Sequence, residues 1–418
     1  MNAPSPVSRV AIVGAGHAGG RVAQHLRAMG HDGPIALIGD EAHVPYERPA
    51  LSKELLLGRT SPDDLALTPH TFWTRGSGNA GVERHHARAQ RLIAAERRLL
   101  LDNGVELEFD QLIIATGGAA RRFALEGAEL PGVVYLRTID DSLALKEALR
   151  SAQSLAIIGA GVIGMEVAAS ASELGVSVTV LEAGDRVMAR SVPPVVSEWI
   201  AALHRAHGVA IETGVRVEAI SRGTGGRALS VLASREGCTS EINVDLVLIA
   251  VGIECDLTFL DGTGIAGAAG VPVDAYCRSP AAPWCYAAGD VASTFNTHYG
   301  RNVRLETWRN AENQARAVAE FILGRTDPYV EIPWMWTDQF GHNIQVVGLP
   351  DTGDTAIVRG NADLGPATVV LLRDGRVTGG VMIDQGRDRR YLEALLGRAP
   401  KVPLEQLADP AMPLKGMV

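Results

Sequence analysis

The sequence predicts an α/β chain in which two doubly wound parallel-sheet units, the second inserted in the first, are followed by a smaller C-terminal α+β domain. Three observations predict it: one motif occurs twice, each copy has a matching later strand, and the residue pattern changes near position 326. VAIVGAGHAGGRVAQHL begins at Val10 and LAIIGAGVIGMEVAASA at Leu155. Each reads as a β-branched strand, a G-x-G-x-x-G turn (Gly14, Gly16 and Gly19; Gly159, Gly161 and Gly164) and a helix of small residues. Each then runs on to a second strand ending near an acid, IALIGDE and VTVLE. One such glycine motif arises by chance, but two in full strand–turn–helix context specify Rossmann-like dinucleotide-binding units.

The glycines permit a tight turn and let the amides at a helix start approach a pyrophosphate, whose charge the helix dipole favours. An acid about 20 residues on takes a ribose diol. In the second unit this is Glu182, which would also repel the extra phosphate of NADP and so points to NAD. In the first unit the counterpart is Asp40 or Glu41. LIIATGG (112–118) reads as a buried strand leaving the first unit, VDLVLIAVGIE (Val244–Glu254) as its counterpart in the second, and CYAAGDVA (Cys285–Ala292) as the return that completes the first. The expected domains are 1–117 with 245–325, then 118–244, then 326–418. In the last, alternating strands flank a hairpin turn at Asp374-Gly375, RRYLEALL reads as one amphipathic helix, and the proline-rich tail as extended.

At 418 residues the chain is too long for one core, and a net charge of −9 argues against a general nucleic-acid or acidic-lipid binder. The start MNAPSPVSRV carries no apolar signal segment, and no apolar run is long enough to span a bilayer, so a cytoplasmic protein is expected. Cys238, Cys255, Cys277 and Cys285 match neither a CxxC nor a zinc spacing. His85-His86 and His204-x-x-His207 are read as solvated surface, and no metal is expected.

PYERPALSK (Pro45–Lys53), ATGG, AAGDVA, LETWRNAENQ and PWMWTDQ follow in order with the two glycine motifs. On these the chain resembles the FAD-dependent, NADH-using ferredoxin reductases of bacterial oxygenase systems, of the putidaredoxin reductase and biphenyl dioxygenase ferredoxin reductase type, with a glutathione-reductase-like pair of nucleotide units. The resemblance implies that FAD is held tightly and non-covalently by Gly14, Gly16, Gly19, Asp40, Arg48, Lys53, Thr116, Arg121, Asp290 and Trp308. It implies that NADH is held by Gly159, Gly161, Gly164, Glu182, Arg190 and Gly252. It also implies that Lys53 stands beside the flavin, paired with Glu166, and that Trp336 lies on the side where electrons leave. The alternatives are a surface lysine with an ordinary helix acid, and plain aromatic core for PWMWTDQ. Where the family often has Pro-Asn after VG-x, this chain has Glu254-Cys255.

The implied function is hydride transfer from NADH to FAD, then transfer of single electrons to a [2Fe-2S] ferredoxin that feeds a monooxygenase or a Rieske dioxygenase. Disulfide-reductase and peroxidase relatives need a cysteine near the PYERPALSK loop, and none lies before residue 238, which disfavours both. Ferredoxins of this kind are acidic, so Arg301, Arg304 and Arg309 of GRNVRLETWR are the candidate docking residues, with ordinary solvated arginines as the alternative. The remaining alternatives are a donor to rubredoxin or to a nitrite-reducing partner, and a flavin redox switch of the apoptosis-inducing-factor type, which relies on a basic surface and targeting segments.

Overall fold

A computed structural model describes residues 8–73, 81–325, 327–360, 365–400 and 402–418. The chain forms two compact units: Met1–Arg48, Pro62–Ala119 and Glu254–Glu331 make one, and Pro49–Ser61, Ala120–Ile253 and Ile332–Val418 the other.

In the first unit, strand Val10–Val13 has parallel neighbours on both sides, Ile35–Gly39 and Gln111–Ile114. Val82–His86 and Ala282–Ala287 extend the sheet outwards, also in parallel. All four residues of VAIV are buried, as a parallel strand covered on both faces requires. Helix His17–Ala28 packs on helix Trp308–Ile322, with Ala18, Val22 and Leu26 of the first and Ala311, Ala315 and Val318 of the second in one core cluster. Leu92, Leu99 and Phe109 join Ile114 and Leu112 in another. On the helix pair, His17, Arg21 and His25, spaced by one helical turn, share Glu312: Arg21 Nε lies at 2.7 Å, His17 Nε2 at 3.0 Å and His25 Nε2 at 3.7 Å. Burial alone would raise the Glu312 carboxyl, but the hydrogen bond with His17, the nearby His25 ring and the Arg21 charge hold it well below the usual carboxylate range.

In the second unit the parallel sheet runs Ala210–Thr213, Ser177–Glu182, Ser154–Ile158, Leu246–Ile249 and Val133–Val134. Leu246–Ile249 pairs residue by residue with Leu155–Ile158, so the expected boundary before residue 245 falls inside this sheet, and the units change at Ile253 and Glu254. LVLI is apolar throughout and buried at all four positions, which suits an inner strand of either sheet, and it is the pairing with Leu155–Ile158 on one side and Val133–Val134 on the other that puts it here. Pro49–Ser61 also groups with this unit, although the chain on either side of it belongs to the first.

The C-terminal sheet of the second unit is antiparallel, in the order Trp334–Gln339, His342–Gly348, Arg376–Ile383, Ala367–Arg373 and Thr355–Gly360. Helix Arg389–Arg398 packs on it through buried Leu392, Leu395 and Leu396. Asp374 and Gly375 have φ of 51° and 73°, both in the left-handed region that a two-residue hairpin demands. The tail departs from the extended form expected of it. It contains a short helix, Leu404–Ala408, and a 3-10 turn, Leu414–Met417. Leu407 and Leu414 are buried, and the Arg359 guanidinium donates to the carbonyls of Leu407 and Met412, supplying partners that so short a helix leaves open.

Glu312→Gln takes the carboxylate from Arg21, and urea denaturation at pH 7 is expected to show a loss of about 1–3 kcal/mol. Because the native carboxyl is depressed, its contribution is complete above the unfolded value of 4.5 and disappears as pH falls through the folded value. The gap between wild type and variant therefore narrows on acidification.

Candidate functional site

The first glycine turn leaves no room for a side chain. Gly14 has φ 114° and a Cβ there would lie 2.2 Å from the Ala115 carbonyl oxygen, while one at Gly19 would lie 1.9 Å from that of Gly14. The helix that follows starts at Gly16 with no side-chain cap and no acid in its first turn. Helix Ile139–Leu149, by contrast, is closed by a Thr138–Asp141 capping box. The amides of the fingerprint helix are thus left for an anion. Arg48 comes to this turn, its guanidinium 3.4 Å from the Cβ position of Gly16, and is held by Glu41 at 2.6 Å and the Tyr46 hydroxyl at 2.9 Å. Asp40 instead pairs with Arg88 at 2.6 Å at the surface. Of the two acids it is Glu41, not Asp40, that joins the group at the turn, because Arg88 draws the Asp40 carboxylate away.

Three further expected residues stand in the same unit. Thr116 Oγ1 is buried with no hydrogen-bond partner among the described residues. Gly289, at φ 79°, would place a Cβ 2.9 Å from that of Ala18, so the Gly289–Val291 turn carrying Asp290 abuts the start of the fingerprint helix. The Trp308 ring is edge-on to His17 at 5.4 Å. A glycine cradle, an uncapped helix start, an adjacent guanidinium and a partnerless hydroxyl together fit a dinucleotide such as FAD.

The second turn repeats the geometry. Gly159 has φ 103° with its Cβ position 2.6 Å from the Ala250 carbonyl oxygen, Gly164 sits 2.1 Å from that of Gly159 in the same sense, and a Cβ at Gly161 would meet nothing within 4 Å among the described residues beyond its own turn. Glu182 is set over the turn, accepting from the amides of Ala160 and Gly184, each at 2.7 Å. The Arg190 guanidinium stands 3.6 Å from the Cβ position of Gly252. Arg121 is fixed beside it, its amide donating to the Gly252 carbonyl at 2.9 Å and its side chain to that of Ile253 at 3.4 Å. Arg186, four residues after Glu182, donates to the carbonyls of Val192 and Ala189 and to the Ser197 hydroxyl. This turn fits NAD, with a carboxylate at the ribose position and the nearby Arg186 engaged elsewhere.

The end of PYERPALSK is fastened from two helices. Ser142 donates to the Leu51 carbonyl and Ser170 to that of Ser52, both at 2.7 Å. So held, Lys53 Nζ reaches Glu166 Oε1 at 2.9 Å, with side chains 10% and 5% exposed. Ser52 donates to Oε2 and Thr337 to Oε1, the latter at 2.7 Å. A surface lysine is therefore ruled out, and the cost of a buried ammonium is offset by a carboxylate that is itself fully engaged. Sequence reasoning missed Ser52, Ser142, Ser170, Thr337 and Gln339. Ser52 and Thr337 adjoin residues it chose, whereas nothing in the sequence separates Ser142 and Ser170 from any other helix serine. Trp336 is half-buried and stacked on Trp334 at 5.2 Å, with Arg389 lying over Trp334 at 4.8 Å.

Other expectations fare differently. His204, read as surface, is fully buried and bonded to Gln339 at 2.8 Å, because its helix faces the C-terminal hairpin; His207 is exposed. Arg304 pairs with Glu306 at 2.6 Å and Arg309 with Glu331 at 3.1 Å, so two of the three expected docking arginines are already neutralised. All four cysteines are free, and burial pushes the thiols of Cys277 and Cys285 up to about 12. Cys255 Sγ lies 2.9 Å from Arg304 Nη1.

Two dinucleotide turns, each with its own acid, and a buried lysine–carboxylate pair define an oxidoreductase that works with two nucleotides. The chain belongs to the pyridine nucleotide-disulphide oxidoreductase family, which residues 8–315 match, and within it to the ferredoxin–NAD(+) reductases of oxygenase systems; residues 334–418 match the reductase C-terminal family. It is 37% identical to the ferredoxin–NAD(+) reductase component of the anthranilate 1,2-dioxygenase system of Burkholderia cepacia, over 97% of this chain and 98% of that one. It is 35% identical to the corresponding biphenyl dioxygenase component of Paraburkholderia xenovorans, over 99% and 98%. Among solved structures, the ferredoxin reductase for the CYP199A2 system of Rhodopseudomonas palustris superimposes with a TM-score of 0.91 at 34% identity, covering 98% of this chain and 99% of that one. Putidaredoxin reductase, in its covalent complex with putidaredoxin, gives 0.90 at 30% identity, covering 98% of each.

Glu166→Ala strands the Lys53 ammonium and is expected to cost about 3–5 kcal/mol in chemical denaturation, whereas the double change Lys53→Met with Glu166→Leu recovers part of that loss.

Proposed function

We propose that this chain is the NADH-dependent reductase of an oxygenase system, delivering single electrons to a [2Fe-2S] ferredoxin that supplies a Rieske dioxygenase or a monooxygenase. The observation that carries the reading is similarity along essentially the whole chain to ferredoxin–NAD(+) reductase components, at 35–38% identity. FAD, tightly but non-covalently bound, supplies the change from two-electron to one-electron chemistry that no side chain can make.

The protein's part is to bind, orient and tune. Gly14, Gly16 and Gly19 would cradle the FAD pyrophosphate with Arg48 as its cation, Glu41 would stand at the ribose in place of Asp40, and Thr116, Asp290 and Trp308 would complete the site. Gly159, Gly161 and Gly164 would take the NADH pyrophosphate, Glu182 its ribose diol, and Arg190 and Gly252 the far side. Glu182 repels a 2′-phosphate, and Arg186, its natural partner, already holds backbone carbonyls; NADH is therefore preferred over NADPH. Lys53 brings a fixed positive charge that favours the negative charge gained on reduction, and Glu166 keeps it in place. Electrons leave past Trp336. The work is done in the cytoplasm, where NADH is replenished; among the described residues no helix is long and apolar enough to cross a membrane.

For the acidic ferredoxin, Arg387 and Arg390 make a better surface than the neutralised Arg304 and Arg309. Arg387 and Arg390 are exposed with no carboxylate partner among the described residues, and Arg389 between them, paired with Glu393 at 3.7 Å, lies over Trp334, on which Trp336 stacks. Arg301, also exposed and without a carboxylate partner among the described residues, stays as a lesser candidate.

Anaerobic stopped-flow mixing tests the proposal. NADH should bleach the yellow protein much faster than NADPH, Glu182→Ala should shrink that preference roughly tenfold, and the reduced protein should then reduce a [2Fe-2S] ferredoxin. Bleaching with no transfer to any iron–sulfur partner would sink the reading. Charge reversal at Arg387 and Arg390 should slow the second phase and flatten its salt dependence without altering the first.

A further inference from the structure

The hydrogen bonds that converge on Glu166 do not stop at Thr337. Thr337 Oγ1 accepts from Gln339 Nε2 at 3.0 Å, and Gln339 Oε1 meets His204 Nε2 at 2.8 Å. None of these three side chains is more than 1% exposed. An amide oxygen only accepts, so the imidazole proton is on Nε2, and Nδ1 is left buried with no partner among the described residues. The Gln339 amide group also faces Met188 Sδ at 3.7 Å, a weak acceptor that suits an N–H. A flipped amide would set its oxygen against Thr337 and its N–H against Nε2, moving the His204 proton to Nδ1, where no acceptor among the described residues meets it, and leaving the single Thr337 proton to serve either Gln339 or Glu166 but not both. With its oxygen already accepting, Thr337 turns its own proton to Glu166. Every donor therefore points one way, from helix Pro194–Ala206 through strand Trp334–Gln339 to helix Val162–Glu173.

We propose that Gln339 and His204 are positioning residues for the Lys53–Glu166 pair: they fix Thr337 as a donor, which keeps Glu166 an acceptor and Lys53 in one place. This rests on the reading of Lys53 as the charge beside FAD and deepens it. The line is an orienting device and not a proton path, since a carboxamide does not relay protons. His204 must stay neutral, because a proton on Nδ1 would find no acceptor. Its surroundings enforce this: Phe340 from the hairpin is edge-on at 4.8 Å, Gln339 holds Nε2 at 2.8 Å, and His207, at the C-cap of the same helix, acts against a positive charge on the ring. Burial pushes the ring down to about 4, with the Gln339 hydrogen bond acting against that and His207 adding to it.

The test uses the full-length, FAD-loaded protein and two readouts other than turnover. The first is the anaerobic equilibrium between the flavin and a redox dye of known potential. Thr337→Val and Gln339→Leu should each shift it towards oxidised flavin by roughly three- to tenfold, Thr337→Ser should leave it unchanged, and the double variant should shift it no further than either single change. The second is 15N NMR of the histidines. His204 should be neutral, protonated on Nε2, from about pH 5 to about pH 8, and Gln339→Leu should move the proton towards Nδ1. Additive shifts in the double variant, a His204 protonated on Nδ1 in the wild type, or no shift with Gln339→Leu while Lys53→Met does shift the dye equilibrium would each overturn the inference and leave the proposed function standing. No shift with Lys53→Met would remove the reading of Lys53, and the inference with it.

Discussion

An ammonium group buried away from water must find a carboxylate, and that carboxylate must in turn be satisfied, or the interior carries a penalty of several kcal/mol. At Lys53 this demand is passed outward through the second unit. Glu166 is placed by the helix after the second glycine turn, its other oxygen is met by the residue next to Lys53, and Thr337 arrives from the C-terminal sheet. Three segments far apart in sequence are thereby required at one point. The backbone of the lysine's own loop is held by two serines from two helices, so the loop has little freedom to take the charge elsewhere. Two prolines in PYERPALSK make sense in this setting: they stiffen a segment whose last residue has one permitted destination.

The two glycine turns are copies in backbone and differ in charge. The first has a guanidinium against it, fixed by Glu41 and Tyr46. The second has an open glycine, a carboxylate engaged by two amides, and an arginine near the far strand end. A fixed cation beside an uncapped helix start favours a dinucleotide that stays. A turn whose acid must exchange amide hydrogens for ribose hydroxyls favours one that comes and goes. The proposed division of labour between FAD and NADH thus follows from side chains around the turns and not from the turns themselves.

Much of this was legible in the sequence because glycine patterns and β-branched runs report local geometry, and local geometry is what a Rossmann-like unit repeats. The two fingerprints, the Asp374-Gly375 hairpin and the Arg389–Arg398 helix stand where the pattern puts them. The Lys53–Glu166 pairing came from resemblance, since no local rule joins residues 113 positions apart. What stayed hidden depends on neighbours supplied by distant chain. Asp40 and Glu41 are equivalent until Arg88 and Arg48 choose between them. His204 looks like a surface residue of an amphipathic helix until a hairpin covers it. Arg304 and Arg309 look like free cations until Glu306 and Glu331 are in place. The boundary near 245 erred for a similar reason, because an apolar run shows that it is buried but not in which sheet.

The interrupted order of the first unit has a consequence for how the chain is made. Strand Gln111–Ile114 waits for Ala282–Ala287, and helix His17–Ala28 waits for Trp308–Ile322, so segments of the first unit that are made before the inserted unit are completed after it. The parallel sheet of the inserted unit has all its strands once Leu246–Ile249 has emerged. During synthesis the interior of the chain can therefore mature ahead of its beginning, and for that interval the N-terminal strands are an unfinished sheet with an apolar edge, the state in which a nascent chain depends most on chaperones.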